Sequence, residues 1–253
     1  MTLILALRCR DGVVLASDSQ ATLATSGQAT RQDVDKLHLI RGHLGWGGSG
    51  SGGLIQRVQE KLSQDQGVAK IFERDGEEQG ARRLSAHVNQ LQKEAVQSFV
   101  GLPGVPGVPE HVAGIFVGVA QGKFFILEIG IQGDRHFVNS HSAIGSGDVF
   151  ATHAMSCVAH YDLSSLSLEK ALALGFRTVS DAIRSAASGI GGAVQLLSVS
   201  HQGTRCLPKE EVDPIRDLVD LWKQQEAEVL GQLSRSPNAP EPTEDPPTEE
   251  STS

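Results

Sequence analysis

Along residues 2–9, Thr2, Ile4, Ala6 and Arg8 fall on one side of a strand and Leu3, Leu5, Leu7 and Cys9 on the other. A second apolar run, 13–17, follows Asp11-Gly12, and two such runs across an Asp-Gly pair predict a β-hairpin. Both faces of the first strand are largely apolar, so the sheet is expected to be covered on both sides. Residues 19–35 are polar and read as an irregular excursion with a short ribbon around 28–31, before another short strand at 36–40.

Helical spacing then takes over. Leu54, Ile55, Val58 and Leu62 form one stripe, with Ser49 or Ser51 available as its cap; Leu84, Val88, Leu91, Ala95 and Phe99 form another over 77–99. The Gly/Pro run 101–109 cannot continue a helix. Strands are expected at 112–120, 123–129 and 135–139, then helices at 148–160 and 166–187. A strongly apolar strand at 193–200 and a short return at 205–207 precede a charged helix at 213–233. Residues 235–253 are rich in Pro, Glu, Ser and Thr and read as a disordered acidic tail. Paired helices between blocks of antiparallel strands argue for an α+β fold, a four-layer αββα sandwich with two stacked antiparallel sheets, and against a βαβ succession. The expected organisation is one domain over 1–210, an appended helix over 211–234 and the tail over 235–253.

Composition narrows the function classes. Thirty acidic against 22 basic side chains leave a net charge of −8, which argues against a nucleic-acid partner. Cys9, Cys157 and Cys206 make no close metal-ligand pair and suit a reducing, cytoplasmic compartment. No basic-then-apolar leader and no long apolar run are present, so neither secretion nor membrane insertion is expected. His153 and His160 lie seven apart on an expected helix face, with no third ligand evident, so no metal site is expected.

Two features carry candidate chemistry. Thr2, if Met1 is removed, gains a free α-amine beside its own hydroxyl, a pair known as an activated nucleophile. Gly48, Gly50 and Gly53 match G-x-G-x-x-G between a strand and a helix. That pattern leaves two readings open: a nucleotide site, or backbone N–H groups forming an oxyanion hole. Gly145-Ser146-Gly147 sits at a strand-to-helix junction, where Ser146 also reads as a cap, and no G-x-S-x-G elbow with later Asp and His partners stands out.

Taken together, Gly12-Val13-Val14-Leu15-Ala16-Ser17-Asp18-Ser19-Gln20-Ala21-Thr22, Asp35-Lys36-Leu37 and Ala143-Ile144-Gly145-Ser146-Gly147 resemble a proteasome-type β subunit of the N-terminal-nucleophile hydrolases. The likeness runs from Thr2 to about Leu207, and the 18–22 stretch is especially similar to bacterial two-ring protease subunits. The resemblance implies Thr2 as nucleophile, Lys36 as the group that eases formation of its alkoxide, and Asp18 as the partner of Lys36. It further implies the N–H of Gly48, or of Gly47, as oxyanion donor, and Ser146 as support for the terminal amine. Trp46 would line the pocket that reads the substrate side chain. Arg184-Ser185-Ala186-Ala187-Ser188-Gly189 matches the family's Arg-Asp-x-x-Ser-Gly, keeping Ser188 but placing Ser185 where Asp is expected; Ile190 and Gly191 are two extra residues. The implied function is a threonine endopeptidase acting on unfolded polypeptide in a homo-oligomeric ring chamber, fed by an ATP-dependent unfoldase and needing no cofactor. The alternatives are a non-catalytic structural or regulatory subunit and a small-molecule amidase.

Overall fold

The computed structural model describes residues 2–25, 28–40, 44–65, 67–100, 110–185 and 189–233. The chain opens with the hairpin β1 (Ile4–Cys9) and β2 (Gly12–Asp18), then a two-stranded ribbon β3 (Gln20–Thr25) and β4 (Gln28–Asp33). Strands β5 (Leu37–Ile40) and β6 (Leu44–Gly50) lead to helices α1 (Gly52–Gln64), α2 (Gly67–Asp75) and α3 (Glu77–Val100). Next come β7 (Val112–Ala120), β8 (Lys123–Ile129), β9 (Arg135–Val138), β10 (His141–Ile144), α4 (Asp148–Cys157) and a 3-10 turn at Leu163–Ser165. Helix α5 (Leu168–Ser185), strands β11 (Val194–Ser200) and β12 (Gly203–Cys206), and α6 (Lys209–Leu233) complete it.

Two five-stranded sheets stack face to face, in the orders β10-β1-β2-β11-β12 and β5-β6-β7-β8-β9, and every pairing in them is antiparallel. The alternation along β1 explains the layers. Ile4 and Ala6 meet Ile115, Val117, Ile126 and Leu197 between the sheets. Leu3, Leu5 and Leu7 instead pack with Ala171, Leu174 and Val179 of α5. Helices α1–α3 cover the other sheet through Leu54, Val58, Phe72 and Leu84 against Phe116, Phe125 and Leu127. Each fully buried leucine contributes about 1.5–3 kcal/mol relative to exposure, so strands without a polar face are stable only when covered twice.

Several elements differ from the sequence reading. The 19–35 region holds a hairpin of two six-residue strands, paired from Gln20↔Asp33 to Thr25↔Gln28, longer than the ribbon expected. Helix α2 was hidden because it is nine residues long, with Gly67 and Gly76 at its ends; it anchors through Val68, Ala69 and Phe72. Ser51 is the N-cap of α1, but its side chain makes no capping bond. Helix α4 ends at Cys157, so His160 leaves the face of His153 and packs on Tyr161. Helix α6 begins four residues earlier than expected and runs through Pro214, its Val212 and Val219 buried in the α5 layer. The Gly/Pro run 101–109 and the tail 235–253 lie outside the described residues.

Candidate active site

The register of the first sheet places Thr2. Ile4 stands between Ser17 of β2 and Ile144 of β10, so the residues before it run alongside Asp18 on one side and the turn after β10 on the other. That turn wraps the threonine. The Thr2 N–H donates to Ser146 Oγ at 3.2 Å, and the Gly147 N–H donates to the Thr2 carbonyl at 3.1 Å. Gly145 sits at φ +98°, and a Cβ there would lie 2.2 Å from the Thr2 carbonyl oxygen, so this turn needs glycine twice over. Thr2 itself is half-buried.

Asp18, at the end of β2, is fully buried and fully engaged. Its Oδ1 accepts the Leu3 N–H at 2.9 Å and Lys36 Nζ at 2.7 Å; its Oδ2 accepts the Gly191 N–H at 3.2 Å. Lys36 is 6% exposed. Burial pushes its ammonium below the ordinary lysine range, and the Asp18 carboxylate offsets only part of that. The result is a buried amine, eased toward its neutral form, on the carboxylate that also holds the residue after Thr2.

Gly48 lies buried in β6 opposite Gly114. Strand β5 starts opposite Gly47, so β6 runs on past it through Gly48–Gly50, beside the Lys36 end of β5. The glycine run has a packing role too: a Cβ at Gly48 would lie 2.8 Å from the Trp46 ring. Since β6 is antiparallel to both β5 and β7, the parallel crossover that a G-x-G-x-x-G dinucleotide site requires is absent here.

Trp46 does not line a pocket. It is fully buried under the helical layer, stacked on Phe116 at 5.2 Å with its Nε1 donating to Gln59 Oε1 at 2.6 Å. Sequence alternation alone could not say which face of β6 meets the helices. Ser185 is exposed as the last residue of α5, and among the described residues no hydrogen bond joins it to Thr2. Ser188 lies outside the described residues. Thr2 and Ser146 are thus joined by one contact and Asp18 and Lys36 by another, the two pairs linked through the Leu3 N–H on Asp18, with Gly48 beside Lys36 by register.

Sequence reasoning missed two groups. The Gly147 N–H on Thr2 comes from a turn read only as a junction. The Gly191 N–H on Asp18 comes from the stretch read as an interruption, and its neighbour Ile190 is buried in the cluster that contains Leu3. No local signal marks either contact. Among the described residues, no three His, Cys, Asp or Glu side chains converge as a metal site, and no helix is long and apolar enough to cross a membrane.

This frame matches known proteins. A family model described as "Proteasome subunit" matches residues 2–195. A protein of Gordonia bronchialis named proteasome subunit beta is 30% identical over 190 residues, 72% of this chain and 60% of that protein's length. One of Thermococcus gammatolerans, proteasome subunit beta 1, is 27% identical over 211 residues, 82% of this chain and 90% of its own. With the stacked antiparallel sheets between helical layers and the match over most of its length, the chain belongs to the proteasome-subunit family, of the N-terminal-nucleophile hydrolase type.

Proposed function

We propose that this subunit is a threonine peptidase whose nucleophile is Thr2, its amine freed by loss of the preceding residue. The observation that carries the reading is the double grip on the 2–3 segment: Ser146 and Gly147 hold Thr2, while Asp18 holds both Leu3 and Lys36. Thr2 Oγ1 would attack the scissile carbonyl carbon and pass its proton to the terminal amine. Lys36, its ammonium pushed below the ordinary lysine range by burial, lowers the cost of the developing alkoxide. The N–H of Gly48, or of Gly47, would hold the oxyanion. The C–N bond then breaks, the leaving amine takes the proton, and water hydrolyses the Thr2 ester to regenerate the hydroxyl. The resemblance also carries Ser188 into the supporting network of the site. Family membership supports a homo-oligomeric ring that encloses these sites, with unfolded polypeptide as substrate and an ATP-dependent unfoldase as partner.

A non-catalytic subunit is the second reading. It is favoured by Ser185, exposed at the end of α5 where the resemblance calls for an aspartate. Intact mass and N-terminal sequencing of the purified chain, before and after an epoxyketone directed at N-terminal threonines, separate the two. The peptidase predicts loss of Met1 and one adduct on Thr2; a retained Met1, or a freed Thr2 that takes no adduct, contradicts it.

A further inference from the structure

Gln195 stands in β11 opposite Ser17, one position beyond the Val194↔Asp18 pair. Its side chain is spent on the segment that delivers Lys36. Oε1 accepts the Lys36 N–H at 2.9 Å and the Ser17 hydroxyl at 3.4 Å. Nε2 donates to the Val34 carbonyl at 2.8 Å and to Asp35 Oδ1 at 3.4 Å. One carboxamide therefore grips three consecutive residues, and only a side chain with an acceptor and two donors can do so. A carboxylate has no donor for Val34, and an apolar side chain serves neither group.

The consequence falls on Lys36. Its stem is long and flexible, so the position of its ammonium depends on where the chain starts the stem. Gln195 fixes that start from β11, and Asp18 fixes the ammonium from the adjacent β2. We propose that Gln195 is a positioning residue for the Lys36–Asp18 pair, holding the lysine at two points so that its amine serves Thr2. This rests on the peptidase reading above. A displacement of about 1 Å in such a group is enough to cost ~100-fold in rate.

The test follows the epoxyketone reaction of the full chain, separating reversible binding of the probe from the rate of bond formation at Thr2. In Gln195→Ala the bond-forming rate falls about 10- to 100-fold while probe binding keeps its wild-type strength. Gln195→Asn, which keeps both polar atoms on a shorter stem, recovers part of the loss. Gln195→Met keeps length and packing without the polar atoms, so it stands in should the alanine variant not fold; it is expected to be as slow as alanine. Faster amide hydrogen exchange across residues 34–37 in Gln195→Met reads the lost grip without any activity. An unreactive wild type overturns the peptidase reading and this proposal with it. A reactive wild type matched by Gln195→Met, or unchanged exchange over 34–37, overturns the positioning role alone.

Discussion

Asp18 and Asp65 each gather several donors, yet the two clusters are built differently. Asp65, at the break between α1 and α2, takes the His87 ring at 2.6 Å, the Gly67 N–H at 2.8 Å and Arg83 at 2.8 Å. Burial alone would raise its carboxyl, but those three partners outweigh it and hold the group down to about 2. Arg83 keeps nearly half its surface in water, so this cluster needs little desolvation of its cation. Asp18 and Lys36 are both withdrawn from solvent, and there burial outweighs the pairing and lowers the lysine. The first arrangement joins helices. The second carries a desolvation cost, and under the peptidase reading proposed above that cost keeps a charge for chemistry.

Breaking the buried pair is the largest test of this contrast. Asp18→Ala removes the carboxylate that Lys36 binds and frees two main-chain donors, so it should cost about 3–5 kcal/mol in urea unfolding and abolish labelling of Thr2. Asp65→Ala should cost about 1–3 kcal/mol and leave the labelling rate intact. The pH dependences also differ. The Asp65 carboxyl is lowered on folding, so its contribution is complete above the ordinary carboxylate range and is lost as pH falls through about 2. Lys36 is lowered too, but as a base, so the unfolded state binds the extra proton. Its cost is full below the folded value and is relieved as pH rises toward the ordinary lysine range. Wild-type stability should therefore rise with pH across that window, a rise that Lys36→Met lacks. Arg83→Ala is the smallest effect, about 0–1 kcal/mol by thermal melting, because the guanidinium is solvated and His87 remains on Asp65.

What could be read from sequence was what local chemistry determines. The Asp11-Gly12 turn and the two-faced alternation of β1 and β2 are short-range signals, and they position Asp18 beside Leu3 without further information. The long stripes of α1, α3 and α5 were legible for the same reason. Strand β10 is only four residues, and its identity depends on pairing with β1, far away in sequence. Helix α2 is too short for a periodic signal. Gly191 and Gln195 act through contacts with residues more than 150 positions earlier, so no pattern around them marks what they hold. Trp46 shows the complementary limit: period two put it on the face of Gly48, but only packing shows that this face meets α1 and not an open pocket.

The most direct test of the claim that the buried pair is kept for chemistry is a comparison on one double variant, Asp18→Asn with Lys36→Met. Replacing both charges with groups of similar size removes the desolvation cost together with the attraction. The account predicts an unfolding stability about 1–3 kcal/mol below wild type, the cost of the one main-chain N–H that the single amide oxygen in Asp18→Asn leaves unpaired, and no covalent adduct on Thr2. Wild-type labelling in that variant would contradict it, as would a stability loss as large as that of Asp18→Ala.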